Sequence, residues 1–107
     1  TEFPVGRMLI KKTYAGDMKG SGTGQMISKR TIAGTAAYYA VEEFSGSVVG
    51  KNGGFTLVHS GFMSKDSQSL EVNILEGSGS GELQGISGSM LIVQDANGHS
   101  YELTFEL

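Results

Sequence analysis

The sequence predicts an all-β fold, an antiparallel meander of about seven to eight strands closed as a β-barrel. Three observations predict it. Apolar and polar residues alternate with a period of two through most of the chain, the period of a strand that turns one face to a core. Glycines recur every few residues, 17 of them against a single proline, Pro4. The strand patterns follow one another at spacings of about 8–14 residues, joined by connectors of the hairpin kind, as in sandwiches and barrels.

After a stub at 1–5, "GRMLIKKTY" (6–14) and "SGTGQMISK" (21–29) read as strands with weak patterns. "GTAAYYAVEEF" (34–44) has the length and the Ala and Glu content of a helix. Its paired tyrosines, Val41 and the Gly34 start favour a strand. "GFTLVHSGFM" (54–63) sets Phe55, Leu57 and His59 against Thr56, Val58 and Ser60. "SLEVNILE" (69–76) sets Leu70, Val72 and Ile74 against Glu71 and Asn73. "SMLIVQ" (89–94) follows, and "YELTFEL" (101–107) alternates most cleanly, with Tyr101, Leu103, Phe105 and Leu107 on one face. "DANG" (95–98) is an Asn-Gly hairpin signal, and "GKNGG" (50–54) and "AGDMKG" (15–20) resemble it. The 107 residues, with no internal linker, make one domain over 1–107.

Eight Lys plus Arg against eleven Asp plus Glu give a net charge of −3 and no dense basic patch. Binding to nucleic acid through phosphates is therefore not expected. No apolar run approaches the roughly 18 residues of a membrane span and no signal-peptide pattern is present, so no membrane association is expected and the cytoplasm is the default location. The chain begins at Thr1 rather than Met, which suggests that its original N-terminus is trimmed or left out. There is no cysteine, hence no disulfide, thiolate metal site or thiol nucleophile. His59 and His99 lack the spacing of a ligand set, so neither a metal nor a cofactor is expected. His99, after Asn97-Gly98, is expected in an exposed turn.

The stretch "GSGSGELQGISGS" (77–89) holds five glycines. It is not a dinucleotide fingerprint, because "ELQGISGSMLIV" continues as strand rather than opening a helix. The nearest approach to a phosphate-binding P-loop, "GSVVGKN" (46–52), is one residue short and has Asn52 where Ser or Thr is needed. The glycines are expected to form a turn leading into a strand, with "GSGTGQM" (20–26) as an earlier echo.

"VEEFSGSVVGKNGGFTLVHSG" (41–61), followed by "GSGSGELQGISGS" (77–89), resembles the DUF3224 family of small bacterial proteins. "YAGDMKGSGT" (14–23) is similar to another of that family's segments, so the resemblance spans nearly the whole chain. It implies a barrel like that of allene oxide cyclase, closed from eight antiparallel strands. Two departures stand out. Glu43 occupies a position where the family pattern has Arg, which removes a cation expected beside Glu42. A further N-terminal strand of the family pattern is missing, so either the chain is trimmed or the barrel closes with fewer strands. In the first case the edge at 6–14 and its neighbour across the gap stay unpaired. The resemblance brings no established catalytic residues.

In such a barrel Phe55 and Leu57 facing inward bring His59 with them, and Tyr38 and Phe44 bring Glu42. Tyr38, Glu42, Phe44, Phe55, Leu57 and His59 are thus the candidate ligand-binding residues. Glu42 and His59 are expected to face each other, since an ionisable group in an apolar interior is costly unless paired. The first functional expectation is a barrel that binds a small apolar ligand. The second is an isomerase or cyclase using Glu42 and His59 as acid/base groups. The third is a structural or interaction protein with a filled interior, in which the pair only holds strand register. Segments 36–44, 55–63 and 89–94 carry apolar residues on both faces, which predicts association of copies, taken as a dimer.

Overall fold

The structure of the protein, a computed structural model, describes residues 5–95 and 98–107, with side chains left out at 94, 95, 98 and 99. Among these residues there is no helix, and hence none long and apolar enough to cross a membrane. The elements are β1 (Gly6–Tyr14), β2 (Met18–Arg30), β3 (Ala36–Val48), β4 (Lys51–Met63), β5 (Gln68–Ile74), β6 (Ser80–Gly81), β7 (Ser87–Asp95) and β8 (Gly98–Glu106). They form one antiparallel sheet in the order β1-β2-β3-β4-β5-β7-β8, with β6 paired to β4. The stub at 1–4, the Asn-Gly turn at 96–97 and the side chain of His99 lie outside the described residues.

The strands arise where the alternation places them, and three run longer. β2, β3 and β4 each span 13 residues and pair over nearly their full lengths. The β3–β4 hairpin turns at Val49-Gly50, so β4 already begins at Lys51 and "GKNGG" is mostly strand. Val49 has φ 49° and Gly50 φ 79°. Two positive φ values in a two-residue loop match the twist of the flanking strands, and the Val49 N–H is held by the Asp17 carbonyl at 2.7 Å.

Residues 82–86 correct the expectation of a continuing strand. They form successive turns, with Leu83 N–H to Ser80 O and Ile86 N–H to Leu83 O. Leu83 and Ile86 are driven into one end of the sheet and are fully buried there. Serines lash this plug to β4: Ser78 Oγ accepts from Thr56 N–H, and Ser80 Oγ from Gly54 N–H. The earlier echo at 20–24 has a different role, because it lies inside β2.

The barrel is not closed, which corrects the allene-oxide-cyclase-like expectation. β1 and β8 are the two ends of the strand order and do not pair with each other. The sheet curls far enough for side chains to cross that seam. The rings of Tyr14 and Tyr101 meet edge to face with centroids 5.1 Å apart, and Lys12 Nζ lies 5.7 Å from the Tyr101 centroid. Closure requires strand number, tilt and stagger to agree; here two aromatic rings and a lysine stem occupy the line where a backbone ladder would run. Tyr14, Met18, Phe44, Val48, Phe55, Leu57, Val72, Ile74, Leu83, Ile86 and Met90 form the core on the concave face.

Candidate functional site

Inner-face side chains of β1, β3 and β4 converge on one carboxylate. Glu42 is 0% exposed. Its Oε2 accepts the Tyr14 hydroxyl at 2.6 Å. Its Oε1 lies 2.8 Å from His59 Nε2 and 3.4 Å from Lys12 Nζ. With the carboxylate as acceptor, Nε2 carries the proton of the His59 bond.

β2, between β1 and β3, makes the meeting possible. Gly22 pairs with Lys12 on one side and Phe44 on the other. A Cβ at Gly22 would collide with Glu42 Oε2, and would stand 2.9 Å from Glu42 Cδ and 3.1 Å from Tyr14 Cε2. Glycine at 22 therefore opens the trough through which Glu42 reaches β1. This is a packing requirement, and it explains part of the glycine pattern that a phosphate loop does not.

Burial pushes the Glu42 carboxyl up. The hydrogen bonds from His59 and Tyr14 and the charges of Lys12 and His59 outweigh it and hold the carboxyl below its ordinary value. Burial first, then the bond to Glu42, pushes the Tyr14 phenol well above the ordinary tyrosine value. No buried side-chain nitrogen or oxygen among the described residues lacks a partner. A sealed carboxylate with its oxygens occupied and a phenol reluctant to ionise are poorly placed to exchange protons with a substrate.

The alternation placed Glu42 and His59 correctly, both inward and in contact. Phe44, Phe55 and Leu57 are buried around them, with the Phe44 and Phe55 rings 5.0 Å apart. Tyr38 is half-buried, its ring lying over Gly61 of β4. Sequence reasoning missed Tyr14 and Lys12. The signal was the phase of Ile10, Lys12 and Tyr14, which sets a lysine among inward residues and calls for a buried anion. The cation beside Glu42 comes from Lys12 of β1, while Glu43 faces outward and accepts the Thr56 hydroxyl at 2.7 Å.

A cleft of about 740 Å³ opens along the seam between the end of β1 and β8. Tyr14, Met18, Val48, Tyr101, Leu103 and Phe105 form its apolar walls; Thr13, Asp17, Ser100, Glu102 and Thr104 supply polar groups. Of the Glu42 cluster, Tyr14 alone reaches it, and none of the six residues singled out from the sequence lines it. No group of three or more His, Cys, Asp or Glu that could hold a metal ion occurs among the described residues.

Residues 1–106 match the profile of a family described as "Protein of unknown function (DUF3224)". A crystal structure of a protein with unknown function from that family, from Shewanella oneidensis MR-1, is 36% identical and superposes with a TM-score of 0.89. The match covers 94% of this chain and 76% of that one. Comparison with curated proteins returned no match.

Proposed function

The chain belongs to the DUF3224 family, and from that premise and the geometry of the seam we propose that it is a small-ligand-binding protein whose ligand enters the cleft between β1 and β8. The observation that carries this is the cleft itself. Its volume, about 740 Å³, falls within the roughly 300–1,000 Å³ of small-molecule sites. Its walls set aromatic and aliphatic side chains against a comparable polar surface from Thr13, Asp17, Ser100, Glu102 and Thr104, the composition of a site that takes a flat, amphipathic molecule. The ligand packs between Tyr101, Leu103 and Phe105 on one side and Tyr14, Met18 and Val48 on the other. The Glu42 cluster underpins one wall by fixing the Tyr14 ring.

Titration with the dye 1-anilinonaphthalene-8-sulfonate tests it. The wild-type protein is expected to bind one equivalent with micromolar affinity. Leu103→Glu is expected to weaken that binding at least tenfold while leaving the circular dichroism unchanged. Tyr39→Lys, on the outer face, is expected to leave the seam affinity intact. Binding that survives Leu103→Glu contradicts the proposal. Native mass spectrometry of freshly purified protein adds the identity of any molecule that co-purifies.

A further inference from the structure

The convex face of the sheet carries an apolar surface that the cleft does not use. In-register residues of paired strands share a face. One row runs Arg7–Ile27–Tyr39–Ser60–Glu71 and the next runs Leu9–Gln25–Val41–Val58–Asn73. Phe62 lies across from Ala37 in a third row. Leu9 is 77% exposed, Tyr39 58% and Val41 53%, and Ile27, Val58 and Phe62 also face water.

At roughly 150–250 Å² for a fully exposed aromatic side chain and less for the aliphatic ones, the six present on the order of 500 Å² of apolar surface. That stands in the upper part of the roughly 300–600 Å² of the largest patch on a typical monomer, where such patches are often functional. It is more than half of the roughly 800 Å² that each partner buries in a standard interface. The charges around it are polarised. Arg7 and Lys11 stand on β1 at one edge, Glu71 on β5 at the other, and Glu43 at the rim beyond Val41.

We propose that this face is the dimer interface, occupied by a second copy of the chain packed sheet against sheet, with the twofold axis running along β3. Two ways of stacking the copies face to face keep their strands aligned. An axis across the strands sets β1 on β1 and β5 on β5, so like charges meet. An axis along β3 sets β1 of one copy over β5 of the other, bringing Arg7 to Glu71 at both edges while the apolar rows meet in the middle. Charge complementarity selects the second. Sheets packed this way stand about 10 Å apart with strands inclined by about 30°. A shallow depression walled by Ile27, Val41 and Val58 adjoins Tyr39 on this face; it receives the partner's Tyr39 ring.

Sedimentation velocity of the full chain at micromolar concentration is expected to give a dimer. Tyr39→Lys combined with Val41→Lys is expected to give a monomer of unchanged circular dichroism. Glu71→Arg is expected to weaken the dimer about tenfold, and adding Arg7→Glu to restore it. Because the chain has no cysteine, Val41→Cys reports the packed face directly, while the Arg7 and Glu71 exchange reports the axis. On oxidation it is expected to cross-link to itself, whereas Glu106→Cys on β8 does not. A wild-type monomer, a dimer indifferent to the paired lysines, or equal cross-linking at both cysteines overturns the proposal.

Discussion

Glu42 and Glu43 are neighbours on β3 and stand on opposite faces of one sheet. Glu42 lies in the apolar interior among Tyr14, His59 and Lys12. Glu43 lies outside, with a bond to Thr56 and open access to water. Their surroundings are inverted as well. The inner face holds a polar cluster inside an apolar core, and the outer face of the same strands holds an apolar patch in solvent. The difference separates two jobs. The inner cluster is satisfied from within the chain and ties β1, β3 and β4 together. The outer patch finds no cover among the described residues.

The strongest way to break the comparison is to truncate the two carboxylates in turn. Glu42→Ala is expected to cost about 3–5 kcal/mol, since removing one member of a buried pair strands the others. Glu43→Ala is expected to cost about 1 kcal/mol, the range of a single part-buried hydrogen bond whose carboxylate is open to water. Urea unfolding of both variants measures the contrast, and equal losses would erase it. Next in size is Gly22→Ala, expected to cost about 2–3 kcal/mol by forcing Glu42 and Tyr14 apart. Ser21→Ala, one residue away and facing out, serves as the control and is expected within about 0.5 kcal/mol of wild type.

Acid sharpens the same contrast. The Glu42 carboxyl sits below its ordinary value of 4.5 in the folded protein. Between that value and its folded pKa the unfolded chain binds more protons, so stability rises with pH there. The Glu42 contribution is present above pH 4.5 and lost as pH falls through the folded pKa. The Tyr14 phenol is raised above its ordinary value of 10.0, so its contribution is present below pH 10.0 and declines as pH rises beyond it. In Glu42→Gln the acid limb of a stability–pH profile is expected to flatten; an unchanged limb would place the sensitivity elsewhere. The smallest expected effect is at the turn. Val49 is a β-branched residue at φ 49°, so Val49→Asn is expected to stabilise by about 1 kcal/mol by relieving that strain. A lower melting temperature would contradict this.

The strands were legible because alternation is local: Phe55, Leu57 and His59, or Leu103 and Phe105, declare their face within a few residues. The inward phase of Glu42 and His59 was legible for the same reason. Tyr14 and Lys12 were hidden because "GRMLIKKTY" runs Met8-Leu9-Ile10 and then Lys11-Lys12, which puts apolar and charged residues on both faces and leaves the pattern without contrast. The plug was hidden because glycines at 77, 79, 81 and 85 mimic a strand pattern. The three-residue step from Leu83 to Ile86 was the clue that the period of two had ended. Closure was not legible at all. It depends on whether edges about 90 residues apart come within ladder distance, which follows from accumulated twist and coil rather than from local pattern.

The central claim is that the Glu42 cluster is scaffold and the seam cleft is the binding site. It is tested most directly by measuring, on Glu42→Gln, both the melting temperature and the affinity for 1-anilinonaphthalene-8-sulfonate. The substitution keeps the volume and removes the charge. The account predicts a melting temperature lower by about 5–10 °C with dye affinity within twofold of wild type. A near-normal melting temperature with lost binding would contradict it and return Glu42 to the site itself.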